Sequence, residues 1–191
     1  MSICGISSLP GFARERVTHL LSVDRPGQPT ATPDWFVGQH LHIIFDDVES
    51  EAEAVNYHAT IPTIEEVAKA LAFGQQVLND SRTVSAHLLL HCTQGASRSP
   101  AIAFGVLAML LGAGQETTAL RHVIKIQPYA VPNRLVVRLA DQSLNRGGRL
   151  SRSLDQLWAQ FADYRPILLA RKPPQQRPEP DHPASGGQAS I

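Results

Sequence analysis

The chain has 191 residues, of which 43% are apolar, enough for one substantial core without a second domain. Lysine plus arginine and aspartate plus glutamate number 17 each, so the charge balance points to neither nucleic acid nor an anionic membrane as the main partner. Two cysteines, Cys4 and Cys92, cannot build a disulfide framework, and the first residues lack the charged start and apolar run of a secretion signal, so a cytoplasmic setting is expected.

In chain order, residues 16–23 (RVTHLLSV) are short and apolar and precede the turn-forming RPGQPT, the pattern of a strand ending in a loop. A second strand is expected over 40–45 (HLHIIF). Its His40 and His42 would share one strand face, as half of a metal site would. No third ligand stands at a useful spacing, so neither metal nor cofactor is expected. In the stretch from Ile61, Thr63 and Glu66 have the spacing of a capping box. Ile64, Val67, Ala68, Leu71 and Leu78 then recur at helical intervals, with Gln75 as a polar lapse.

Residues 87–91 (HLLLH) are apolar at every interior position, as in a strand covered on both faces. After the loop that follows, Ser99 and Pro100 read as an N-cap and a first helical residue. The segment AIAFGVLAMLLGAG is apolar all round, which places it in the middle of a domain; it falls short of the roughly 20 residues that span a bilayer. Further helices are expected over about 116–126, 132–145 and 153–164. Residues 1–170 read as one domain, and 171–191, rich in proline, glycine and glutamine, as a disordered tail. The alternation implies an α/β fold with a central, mostly parallel sheet flanked by helices.

The loop between strand and helix, HCTQGASRS, carries the chemistry. Its amides from Thr93 through Gln94, Gly95, Ala96 and Ser97 to Arg98 can form a concave nest, to which the following helix adds the positive end of its dipole. Gly95 permits a tight turn toward an anion, and the Arg98 guanidinium matches two oxygens of a phosphoryl group. A cysteine beneath such a nest favours the thiolate, which makes Cys92 a candidate nucleophile. Attack on phosphorus expels an alkoxide or phenoxide, so a general acid is required. Asp46 and Asp47, directly after the second strand, are the candidates. Ser99 is placed to donate to the departing sulfur.

HCTQGASRS resembles the HCxxGxxR(S/T) signature of the cysteine-dependent protein tyrosine phosphatases, with His91, Cys92, Gly95, Arg98 and Ser99 at the motif positions. The short chain is similar to the small dual-specificity branch in its bacterial single-domain form, over about residues 15–150. That resemblance implies a phosphatase-like three-layer architecture, a phosphocysteine intermediate and a phosphorylated protein or peptide as partner. It implies Asp47 as the acid, with Asp46 the alternative, and gives His91 a structural role supporting the loop. YAVPNRL resembles a family segment in which Pro-Asn opens a helix near the active site, which bears on the fold without assigning a role.

Two features depart from larger relatives of this kind. The tryptophan-proline-aspartate loop and the phosphotyrosine-recognition segment of the large tyrosine phosphatases are not visible, which weakens strict phosphotyrosine selectivity. The loop has no lysine, which disfavours a phosphoinositide headgroup. The competing reading is a catalytically silent module that binds a phosphorylated partner through the same loop. Cys4, which could trap an oxidised Cys92 as a disulfide, is read instead as a packing residue near the first strand.

Overall fold

The computed structural model describes residues 1–80 and 85–160. A four-stranded sheet is built from β1 (Ser2–Gly5), β2 (His19–Asp24), β3 (Gln39–Ile44) and β4 (Leu88–Cys92), in the order β1-β4-β2-β3, with every pairing parallel. The two central strands β2 and β4 are buried at all positions; the three leucines of β4 suit a strand covered on both faces, whereas β2 also buries His19, Ser22 and Asp24.

On one face lie α2 (Ile64–Asp80), α3 (Arg98–Leu111), α4 (Glu116–Ile126), α5 (Arg134–Ser143) and α6 (Arg149–Gln160), which share the main core with Leu21, Val23, Leu90 and Cys92. On the other face Leu20, Leu89 and Cys4 pack with Leu9, Val17 and Phe36, Leu9 coming from a 3-10 helix at Ile6–Arg14. α1 (Glu51–Tyr57) lies between β3 and α2 in the chain. The arrangement is the α/β, parallel-sheet architecture expected. No helix among the described residues is long and apolar enough to cross a membrane.

The local signals for helices hold where both partners lie in one segment. The Thr63 hydroxyl accepts the Glu66 N–H at 3.2 Å and the Glu66 carboxylate accepts the Thr63 N–H at 3.0 Å, the reciprocal capping box. α4 spans the expected residues.

Other boundaries move for identifiable reasons. α3 starts at Arg98, with Ser97 as its N-cap residue, not at Ser99. Ala101 N–H bonds to the Ser97 carbonyl, so Pro100 still falls within the first turn, where a missing N–H costs nothing. α6 starts before the expected 153, because the Asp141 carboxylate on α5 accepts the N–H groups of Gly148, Leu150 and Ser151 and caps it from another helix. The expected continuation of that helix to 164, and the tail from 171, lie outside the described residues.

Candidate active site

Cys92 is the last residue of β4, 3% exposed, and its sulfur accepts two hydrogen bonds: from the Gly95 N–H at 3.3 Å and from the Ser99 hydroxyl at 3.2 Å. Ser99, expected as an N-cap, therefore spends its hydroxyl on the thiol. Gly95 has φ +70°, and a Cβ there would collide with the backbone of Cys4 and Gly5. The edge strand β1 thus lies directly beneath the loop, and Gly5 in turn is required because a Cβ would stand 2.9 Å from the Gln94 backbone.

The loop's carbonyls are turned outward onto distant parts of the chain. Thr93 O accepts from Ile6 N–H at 3.2 Å, Ala96 O from Val131 N–H at 2.6 Å, and Ser97 O from Asn133 N–H at 3.3 Å as well as from Ala101 N–H. In a trans peptide the C=O and the next N–H point in opposite directions, so the N–H groups of Gln94, Ser97 and Arg98 are turned to the inner side. Among these residues Thr93 and Gln94 are exposed, Ala96 is half-buried, and Gly95, Ser97 and Arg98 are buried.

The Arg98 guanidinium is held by the ends of two strands. Its Nη1 donates to Phe45 O at 2.8 Å and to Asp24 O at 3.2 Å, and Nη2 donates to Thr93 Oγ1 at 2.8 Å. Its Nε is buried and has no acceptor among the described residues. A buried guanidinium N–H without a partner is costly to leave unmet.

The two candidate acids point to different places. Asp47 Oδ1 accepts the Ser97 hydroxyl at 2.6 Å and the Asn133 amide at 2.9 Å, which sets its carboxyl against the loop. Asp46 faces away: its Oδ2 accepts the Thr60 N–H at 2.9 Å, and Oδ1 lies 3.6 Å from Arg25 Nε. Asp46 therefore braces the turn, and Asp47 is the carboxyl brought to Cys92's loop.

His91 is buried, and its Nε2 lies 2.6 Å from the Ser22 hydroxyl. Burial pushes its pKa down to about 4, partly opposed by Asp24. Cys4 pairs with His91 in the β1–β4 register while Gly5 pairs with Cys92, so the two cysteines project to opposite faces of the sheet. That geometry removes the disulfide-trap alternative and leaves Cys4 as the packing residue it was read to be. Burial, with a smaller contribution from Cys92, pushes the Cys4 thiol up to about 12.

His40 and His42 stack with ring centroids 3.9 Å apart, and neither is left as an open ligand pair. Both nitrogens of His40 meet hydroxyls, Ser22 at 2.7 Å and Thr32 at 2.9 Å, and His42 Nδ1 pairs with Asp24 at 2.7 Å. Among the described residues no group of three or more His, Cys, Asp or Glu is placed to hold a metal ion.

Sequence reasoning missed Asn133. Fully buried, its side-chain amide donates to Asp47 and to Val48 O, both at 2.9 Å, while its Oδ1 caps α5 by accepting Val136 N–H at 3.0 Å. The Pro-Asn opening of a helix was the available signal for the cap. The bonds to Asp47 and Val48 span more than eighty residues and left no local trace.

Neither a family model nor a curated protein sequence matches this chain. Solved structures do. The Yvh1 phosphatase domain from Chaetomium thermophilum superposes with a TM-score of 0.56 at 24% identity, over 77% of this chain and 91% of that one. Human DUSP28 gives 0.56 at 18% identity, over 83% and 94%. PTPMT1 in complex with PI(5)P gives 0.53 at 12% identity, over 75% and 87%. The fold is that of the small, dual-specificity-like members of the cysteine-dependent protein tyrosine phosphatase superfamily.

Proposed function

We propose that this chain, with the fold of the cysteine-dependent protein tyrosine phosphatases, is a phosphomonoester hydrolase of the protein-tyrosine or dual-specificity kind acting through a phosphocysteine. The observation that carries this reading is a single one: Cys92 lies at the base of a loop whose Gln94, Ser97 and Arg98 amides turn inward, beside a buried Arg98 Nε with no acceptor among the described residues. A phosphoryl group seated there would satisfy that donor and present phosphorus to the sulfur.

In the first step the Cys92 thiolate forms a bond to phosphorus as the P–O bond to the leaving group breaks. The leaving oxygen takes a proton from Asp47. The bonds from Ser97 and Asn133 to its Oδ1 hold that carboxyl against the loop. The loop amides and Arg98 hold the equatorial oxygens through the transition state. In the second step the ionised Asp47 takes a proton from water, water oxygen bonds to phosphorus, and the P–S bond breaks to release inorganic phosphate. Ser99 Oγ, already 3.2 Å from the sulfur, eases departure of the thiolate. Thr93, Gln94, Gly95, Ala96 and Ser97 supply the cradle, and His91 supports it from below.

A phosphorylated protein or peptide is the favoured substrate class, since the loop carries no lysine for the further phosphates of an inositol headgroup. The test is hydrolysis of an aryl phosphate by the full chain without added metal. Turnover that disappears in Cys92→Ser supports the reading, and turnover that survives the substitution overturns it. If the wild type is inert while Cys92→Ser binds a phosphopeptide as well as the wild type does, the silent binding module is correct.

A further inference from the structure

Two carbonyls seat the Arg98 guanidinium, and they come from neighbouring strands at the point where those strands end. Asp24 is the last residue of β2, and Phe45 follows the last residue of β3. Arg98 Nη1 donates to Phe45 O at 2.8 Å and to Asp24 O at 3.2 Å. Asp24 O also accepts the Phe45 N–H at 3.1 Å, a rung of the ladder between the two strands. A small parting of the strand ends therefore opens that rung and separates both Arg98 acceptors together.

Side chains tie the same two ends. The Asp24 carboxyl is 2% exposed and both its oxygens are met: Oδ2 lies 2.7 Å from His42 Nδ1 on β3, and Oδ1 accepts the Thr30 hydroxyl at 2.6 Å. A buried carboxylate is tolerated only where donors reach it. Because an ionised carboxylate only accepts, His42 Nδ1 carries a proton whether the ring is neutral or charged. His42 pairs in register with Ser22 and Asp24 with Ile44, so the contact runs diagonally across the two strands on one sheet face. Thr30 arrives by a turn: Gln28 N–H bonds to Arg25 O at 3.0 Å, with Gly27 at φ +71°, which folds the connection back toward the end of β2.

We propose that His42 and Thr30 are positioning residues for Arg98: by holding the Asp24 carboxylate between them they fix the end of β2 against β3, and with it the pair of carbonyls on which the guanidinium is seated. This rests on Arg98 being the arginine that receives the phosphoryl group. Neither side chain belongs to the loop or takes part in the proposed chemistry.

The consequence of breaking the tie follows from the cost of an unmet buried charge. Without His42, Asp24 Oδ2 is buried with no donor, and the carboxylate gains by turning toward water. That movement draws the end of β2 away from Phe45. Nη1 then keeps one carbonyl instead of two, and the guanidinium no longer holds a fixed direction toward an incoming phosphoryl group. Loss of the Thr30 hydroxyl acts in the same way from the other oxygen.

The test uses the full chain and reads Arg98 directly by ¹⁵N NMR. In the wild type the two Nη nitrogens give separate signals, because Nη1 is seated on two carbonyls, and exchange between them measures how firmly it is held. His42→Ala speeds that exchange roughly 5- to 10-fold, the weight of one net hydrogen bond, and raises the dissociation constant for inorganic phosphate, titrated into the same samples, by a similar factor. His42→Asn, whose amide nitrogen stands where Nδ1 stood, restores both. Thr30→Val acts in the same direction, and combined with His42→Ala it gives less than the product of the two effects, since both work through Asp24. Should His42→Ala not fold, Thr30→Val, with Thr30→Ser as its rescue, carries the test. Unchanged Arg98 exchange in the folded variants, or a lowered melting midpoint with Arg98 exchange and phosphate affinity unaffected, overturns the proposal. Exchange that changes as stated, while wild-type Arg98 does not respond to phosphate, upholds the clamp and removes the phosphate reading of the site.

Discussion

Asn133 joins three parts of the molecule that the proposed turnover must keep in register, and its removal has a calculable cost. Asn133→Ala deletes the cap on α5, worth about 1 kcal/mol, together with the bond to Val48 O at about 1 kcal/mol and the bond to the Asp47 carboxyl at about 1.5 kcal/mol. The expected loss of roughly 3–4 kcal/mol is within the 5–15 kcal/mol of an ordinary domain, so the variant folds. With a slope of about 2 kcal/mol/M, its urea midpoint falls by roughly 1.5–2 M, read by tryptophan fluorescence.

Asn133→Ser separates the two roles, because serine caps a helix well but is too short to reach Asp47 and Val48. It recovers about 1 kcal/mol of stability. Turnover on an alkyl phosphate, whose leaving group needs a proton, stays low in both variants, whereas turnover on a nitrophenyl phosphate is less affected. If Asn133→Ser regains wild-type turnover on the alkyl phosphate, Asn133 is only a helix cap and the argument for its hold on the acid fails.

Asp47→Asn lowers turnover on alkyl phosphates by about 10²- to 10⁴-fold with phosphate binding retained, while Asp46→Asn changes turnover little, since it removes only a bond to Thr60 and a 3.6 Å contact with Arg25. Steady-state kinetics with the two effects reversed would show that the wrong carboxyl has been assigned. Stability should also fall in mild acid. His91 is neutral in the fold with its pKa near 4 against 6.5 in the unfolded chain, so between those values the unfolded state binds more protons and stability declines as pH drops. The loss from this one group reaches about 3 kcal/mol below pH 4, and the partly exposed His40 adds less. Urea midpoints at pH 7 and pH 4.5 measure it, and an equal acid loss in His91→Asn would rule out His91 as the source.

What the sequence made legible follows from how far each interaction reaches. The capping box of α2 and the periodicity of α4 are local, and their boundaries were readable. β1 was missed because four residues give no period, and it is held as a strand by pairing with β4 rather than by its own pattern. α1 was masked by its acidic composition, although Ser50 and Glu53 stand at capping-box spacing and Ser50 Oγ does accept the Glu53 N–H at 3.1 Å. The start of α6 was unreadable, since its cap is a carboxylate on α5.

The phosphate loop divides along the same line. Its residue types are contiguous, so the proposed nucleophile, the glycine and the arginine could be named from nine residues. Its conformation is not contiguous: the carbonyls that must turn outward are held by Ile6, Val131 and Asn133, and the arginine by Asp24 and Phe45. The choice of acid shows the consequence. Asp46 and Asp47 are chemically identical neighbours, and no composition distinguishes them. Val48 N–H closes a tight turn onto Asp46 O, and Asp46 N–H is tied to Thr60 O. With Phe45 and Val48 fully buried on either side, that turn commits Asp46 to the Thr60 side and leaves Asp47 to face Ser97. A segment fifteen residues downstream of Phe45 thus determines which carboxyl meets the loop, and moving Thr60 would disturb the proposed acid without touching it.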